Sequence, residues 1–232
     1  MSERIEHLLK NSGLPGPRGN LELLFSFAAS ANEQEAEECL SYYDDELDNS
    51  PEEFVVMCGI VARCVLRGDD IAGAIASVRA FAVHPSWRIR EAVAIGIQEI
   101  AEGRMDEVMA ALRPWVDGNA LERRAVVAAL CEPKLLKEAS VTAAVLRLLG
   151  VITEELARVD RLTDGQVALR KALGYGWSVA VAASPEVGKA AFEAMAGDPG
   201  KHIRWIVREN LKKNRLIRMD EAWVERMRAE TR

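Results

Sequence analysis

Histidine, cysteine and proline are scarce in this 232-residue chain, at three, four and eight residues. Cys39, Cys58, Cys64 and Cys131 show no CxxC spacing, and His7, His84 and His202 are scattered among them. That pattern argues against a structural zinc site or a disulfide framework and fits a reducing cytoplasm. The longest uncharged run, Gly174 to Pro185, is too short to span a membrane, and the start MSERIEHLLKNSG has no apolar signal core. The expectation is a soluble cytoplasmic chain with no membrane partner. No stretch alternates with period two over a useful length, so no sheet is expected. The segment SGLPGPRGN, residues 12–20, holds three glycines, but no GK[ST] follows and two prolines remove N–H donors. A phosphate loop is therefore excluded on motif grounds, and no metal, nucleotide or redox cofactor is indicated.

What the chain does have is apolar residues, at 49%, enough to bury a sizeable core over residues 1–232 as one domain. Its formal net charge is −6, unevenly distributed. Residues 1–60 carry 13 acidic and 3 basic side chains; residues 61–232 carry 23 and 27. The N-terminal quarter repels polyanions, and the remainder mildly attracts them.

A degenerate pattern recurs four times. HPSWRIREAVAIGI contains Arg90 followed by Ala92, Val93 and Ile97; DGNALERRAVVAAL contains Arg123 with Ala125, Val126 and Leu130. DGQVALRKALGYGW contains Arg170 with Ala172, Leu173 and Trp177, and DPGKHIRWIVRENL contains Arg204 with Ile206, Val207 and Leu211. The apolar residues form a helical stripe, and the 33-, 47- and 34-residue steps between arginines suit paired-helix repeats with one insertion. Six residues before each arginine stand His84, Asp117, Asp164 and Asp198, expected at the turn entering the helix. Each arginine is placed to reach a carboxylate of its own or a neighbouring repeat.

This Asp and Arg pairing resembles the ladder of HEAT repeats over residues 70–215. The resemblance implies an all-α HEAT-like helical-repeat solenoid, with irregular acidic helices over 1–69 and a C-terminal helix over 216–232. Capping and periodicity place helices over residues 2–11, 21–31, 33–43, 54–67, 70–82, 86–102, 106–116 and 119–131. Further helices are expected over 140–159, 164–182, 185–196, 200–213 and 220–229.

Three positions of the second helix, one turn apart, align down the repeats into a single face. It collects Trp87, Glu91, Arg124, Lys171, Tyr175 and Trp205. Aromatics and cations with one carboxylate are unusual for a core and suit a binding surface. Farther along, Lys201, Arg204, Arg208, Lys212, Lys213, Arg215 and Arg218 extend the positive charge.

WRIRE (87–91), LERRAVV (121–127) and RKALGYGW (170–177) together resemble the DNA alkylation repair family, HEAT-like glycosylases that excise cationic alkylated purines. The resemblance implies that Trp87 matches the family's first tryptophan, Glu91 its catalytic aspartate, Arg123 or Arg124 its arginine, and Tyr175 its later aromatic. Glutamate stands for aspartate and tyrosine for tryptophan. A carboxylate there would stabilise the oxocarbenium character of a departing sugar, and electron-rich rings would hold a cationic base. The expected function is a scaffold binding DNA or another nucleic acid on this face, with base excision at Glu91. The competing expectation is a protein-interaction adaptor without catalysis, motivated by the acidic N-terminal quarter.

Overall fold

The computed structural model describes residues 2–231, of which every regular element is a helix. About 75% of the chain is helical, in 14 α-helices with no strand among the described residues. None of these helices is long and apolar enough to cross a membrane. The chain divides into two units, one ending at Arg113 and the other beginning at Pro114.

The first unit is built around one buried helix. Helices α1 (Glu3–Asn11), α2 (Leu21–Ala28) and α3 (Glu33–Leu40) are capped by the side chains of Ser2, Asn20 and Asn32, the last in a capping box with Glu35. Helix α4 (Pro51–Leu66) starts from Ser50 with proline in its first turn. It is apolar nearly all round, with Phe54 through Ala62 buried, and packs against α1, α2, α3, α5 (Ile71–Val78) and α6 (Trp87–Ile100). Glycine sets two of these approaches. A Cβ on Gly59 would lie 2.7 Å from Cys39 Cβ, and one on Gly96 of α6 would lie 2.8 Å from Cys64 Sγ. The expected helix over 70–82 does not run through: residues 79–83 form a 3₁₀ turn after α5. Helix α7 (Met105–Val116) follows Gly103, which stops the α6 segment with φ at +74°.

The second unit repeats this plan around α10. Helices α8 (Ala120–Leu130), α9 (Ala139–Ala157), α10 (Asp164–Ala183), α11 (Pro185–Ala196) and α12 (Lys201–Leu211) are followed by α13 (Asn214–Met219) and α14 (Glu221–Glu230). Helix α10 packs against α8, α9, α11, α12 and α13. Trp177, Phe192 and Trp223 form an edge-to-face chain through this core, with ring centroids 6.0 and 5.6 Å apart. The apolar stripe of the four repeats is buried as its period requires; Ala172 alone is half-buried.

Of the residues six before each arginine, His84, Asp117 and Asp198 lie in the turn entering the helix, ahead of the N-cap residue itself. The capping positions are Ser86, Asn119, Thr163 and Gly200. His84 and Asp198 lie two residues ahead and accept the cap's own amide, Ser86 N on His84 Nδ1 at 2.9 Å and Gly200 N on Asp198 Oδ1 at 2.7 Å. Asp164 lies inside α10, because Thr163 and Gln166 form the capping box around it.

Candidate functional site

In the first unit, Trp87 opens α6 and is 51% exposed. The Arg88 guanidinium lies 4.7 Å from its ring centroid. Glu91 follows one turn later and is half-buried. Beneath them is a network that the periodicity of α6 does not reveal. Glu53, wholly buried, accepts from Asn49 N at 2.9 Å and from the Ser86 hydroxyl, and its carboxylate lies 3.5 Å from Arg88 Nη1. Arg88 Nη2 donates to Gly16 O at 2.7 Å and Asn49 Oδ1 at 3.1 Å, and Gly16 N donates to the same Asn49 oxygen at 2.9 Å. The glycine-rich segment 12–20 is thus a strap whose backbone is tied to the base of α6. Asn49, at φ of +51°, takes the left-handed conformation that lets one side chain meet both groups.

Two of the four repeat arginines, Arg90 and Arg123, act on backbone. Arg90 Nη1 donates to the carbonyls of His84 and Pro85, and Arg123 Nε donates to Val116 O at 2.7 Å. In both cases the guanidinium satisfies carbonyls left open by the turn into its own helix. Arg123 also pairs with Glu155 of α9, the carboxylate partnership expected of a neighbouring repeat. Arg124, beside it, is half-buried and partnered.

Lys171, Tyr175 and Trp205 come together in the second unit. Lys171 is exposed, and Tyr175, one turn on along α10, is 44% exposed. Arg215 of α13 stacks 4.4 Å from the Tyr175 ring centroid and donates to its hydroxyl at 2.7 Å. The flanking glycines make this projection possible. A Cβ on Gly174 would meet Trp205 Cζ3 at 2.9 Å, and one on Gly176 would meet Cys131 Sγ and Val127 Cγ1, each at 2.9 Å. Helices α12 and α8 therefore approach α10 closely on both sides of Tyr175. Trp205 is half-buried, with the Arg170 guanidinium 4.3 Å from its ring centroid. Arg170 Nη1 donates to His202 Nδ1 at 3.1 Å, which leaves the ring proton on Nε2, toward Asp160 O. Nearby, Glu209 pairs with Lys212.

The repeat spacing puts Arg170 in the ladder and the charge pattern puts Arg215 in a farther basic cluster, but neither signals that each stacks on an aromatic ring of the candidate face. Arg215 lies 40 residues from Tyr175, beyond the reach of helical periodicity. Cysteine chemistry has no place here: burial pushes the Cys39, Cys64 and Cys131 thiols up to about 12 and Cys58 well above its ordinary value. No group of three or more His, Cys, Asp and Glu able to hold a metal occurs among the described residues.

No protein-family model, curated protein or solved structure matches the chain.

Proposed function

We propose that this protein is a HEAT-like solenoid that binds nucleic acid on the second-helix face of its repeats. Lys171, Tyr175, Arg215 and the Arg170–Trp205 pair form the contact in the second unit. The observation that carries the reading is Tyr175, a large aromatic held outward between two glycines, with an arginine on its ring and a lysine one turn away. Exposed cations attract phosphate without reading sequence, and an exposed ring offers a stacking surface to an unpaired base. The recurrence of the arginine motif at 33-, 47- and 34-residue steps, and the shared use of Arg90 and Arg123 on turn carbonyls, support the solenoid arrangement.

The test is fluorescence anisotropy with labelled duplex DNA, intact and containing an abasic-site analogue, at about 50 and 200 mM salt. Salt-sensitive binding that prefers the lesion, and that Lys171→Glu weakens, supports the reading. Absence of binding at the lower salt rejects it in favour of the protein-interaction adaptor.

A further inference from the structure

We propose a second site in the second unit, a cavity of about 400 Å³ that takes a small amphiphilic cation: an apolar body with an ammonium head. Its walls are α9 and α11 and its floor is Trp177. The volume falls within the range of small-molecule sites.

Three features fix the ligand class. Leu146, Val187, Ala191 and Met195 line an apolar interior, and the indole N–H of Trp177 is already spent on Thr153 Oγ1 at 3.0 Å. The floor therefore offers no free donor, and the interior suits hydrocarbon. Gly150 lies in the middle of α9 with open space above it, since a Cβ there would meet nothing within 4 Å. Glycine at mid-helix is disfavoured relative to alanine, and no packing neighbour requires it here. Its absent side chain leaves helix backbone lining the cavity. The charged groups are spread along α9. Arg147 is at one end, and Glu154, two turns and about 10 Å along the helix, lies with Asp198 at the other. Glu154 is exposed, and neither it nor Asp198 has an ion-pair partner among the described residues; Asp198 accepts only the Gly200 amide. Arg147 is also exposed and without an ion-pair partner among the described residues. The cavity thus sets two unpaired carboxylates at one end against one cation at the other, a balance that favours an ammonium head over an anionic one. Arg158 does not line the cavity; it lines an adjoining depression that shares Glu154, Ala157 and Asp198 with it.

This site is independent of the nucleic-acid face, so either can fail alone. Isothermal titration calorimetry with octylamine, octanol and octanoate holds the tail constant and varies the head. Octylamine is expected to bind about fivefold tighter than octanoate, a preference of the size that exposed charge pairs give. Glu154→Gln, at an exposed position, is expected to reduce that preference. Gly150→Leu, which fills the cavity, is expected to abolish binding of all three with the helical circular-dichroism signal retained. Equal affinity for the three heads overturns the cationic class. Failure of all three to bind, or undiminished binding to folded Gly150→Leu, overturns the site.

Discussion

The side chain of Asn210 on α12 is threaded into the backbone of α10: its Oδ1 accepts the Ser178 amide at 2.8 Å, while its Nδ2 donates to Leu173 O at 2.9 Å. A third bond, to Ile206 O at 2.8 Å, fixes the amide's orientation, and Asn210 is wholly buried. The bracketed turn, 173–178, is the one that projects Tyr175. Asn210→Leu removes a side-chain partner from a buried N–H and a buried C=O on α10. The expected loss is about 2 kcal/mol of stability, measured by urea unfolding, since each lost hydrogen bond contributes about 1 kcal/mol. A loss below about 1 kcal/mol would show that α10 closes its own ladder without Asn210.

The Glu53–Arg88 pair behaves differently when one member or both are removed. Both side chains are almost fully buried, so Arg88→Met alone leaves an uncompensated carboxylate, expected to cost about 3–5 kcal/mol. The double variant Arg88→Met, Glu53→Leu is expected to regain most of that loss. The strap 12–20 is expected to become protease-sensitive in both variants, because Gly16 loses the guanidinium that holds its carbonyl. Limited proteolysis with mass spectrometry, beside urea unfolding, separates strap release from global destabilisation.

Local chemistry made most of the helices legible, and distance in sequence hid most of the site. Asn20, Asn32, Ser50, Asp70 and Asp220 all cap the helices that follow them, because a cap acts on the next three residues. Trp177 was legible as core because it shares a period with Leu173. Arg88 reads locally as a partner for Glu91, three residues on, yet it is drawn to Glu53, Asn49 and Gly16, which only the fold brings near. The Tyr175–Arg215 stack and the Asn210 bridge likewise join separate helices, and no spacing rule announces them.

Acid is expected to loosen the docking of α14. Hydrogen bonding to Lys189 and to the Trp223 amide holds the Asp220 carboxyl below its ordinary range; the Trp223 indole and Arg226 do the same for Glu193. A depressed folded pKa means that the stabilisation is complete above the ordinary carboxylate range and is lost as pH falls through the folded values. Thermal melts across that acidic window should therefore show a steeper decline for the wild type than for Asp220→Asn. Parallel declines would mean that Asp220 contributes nothing to linkage.

Two glycines of the second unit should respond to alanine with opposite signs. Gly150→Ala adds a Cβ into open space and removes a helix-interior glycine, so a gain of about 0.5–1 kcal/mol is expected. Gly174→Ala drives a Cβ to 2.9 Å from the Trp205 ring, which Arg170 holds on its face, so the ring or the helices must shift, at a cost of about 1–3 kcal/mol. The same urea titration reads both. If Gly174→Ala proved neutral, the close approach beside Tyr175 would not be fixed by that glycine.

The proposed nucleic-acid binding and the expected base excision are tested by variants in different units. Tyr175→Ala removes the stacking surface, expected to weaken single-stranded or lesion-containing DNA by about 1–3 kcal/mol. If Lys171 contacts phosphate as proposed, Lys171→Glu should lower the salt slope by about 1. Glu91→Gln keeps the shape of a half-buried side chain on α6 while removing its charge. If Glu91 stabilises a departing sugar, this variant retains its affinity for DNA and loses release of a cationic alkylated purine, followed by chromatography of the freed base. Full release by Glu91→Gln rejects that role for the carboxylate, and loss of affinity as well would make Glu91 a binding residue instead.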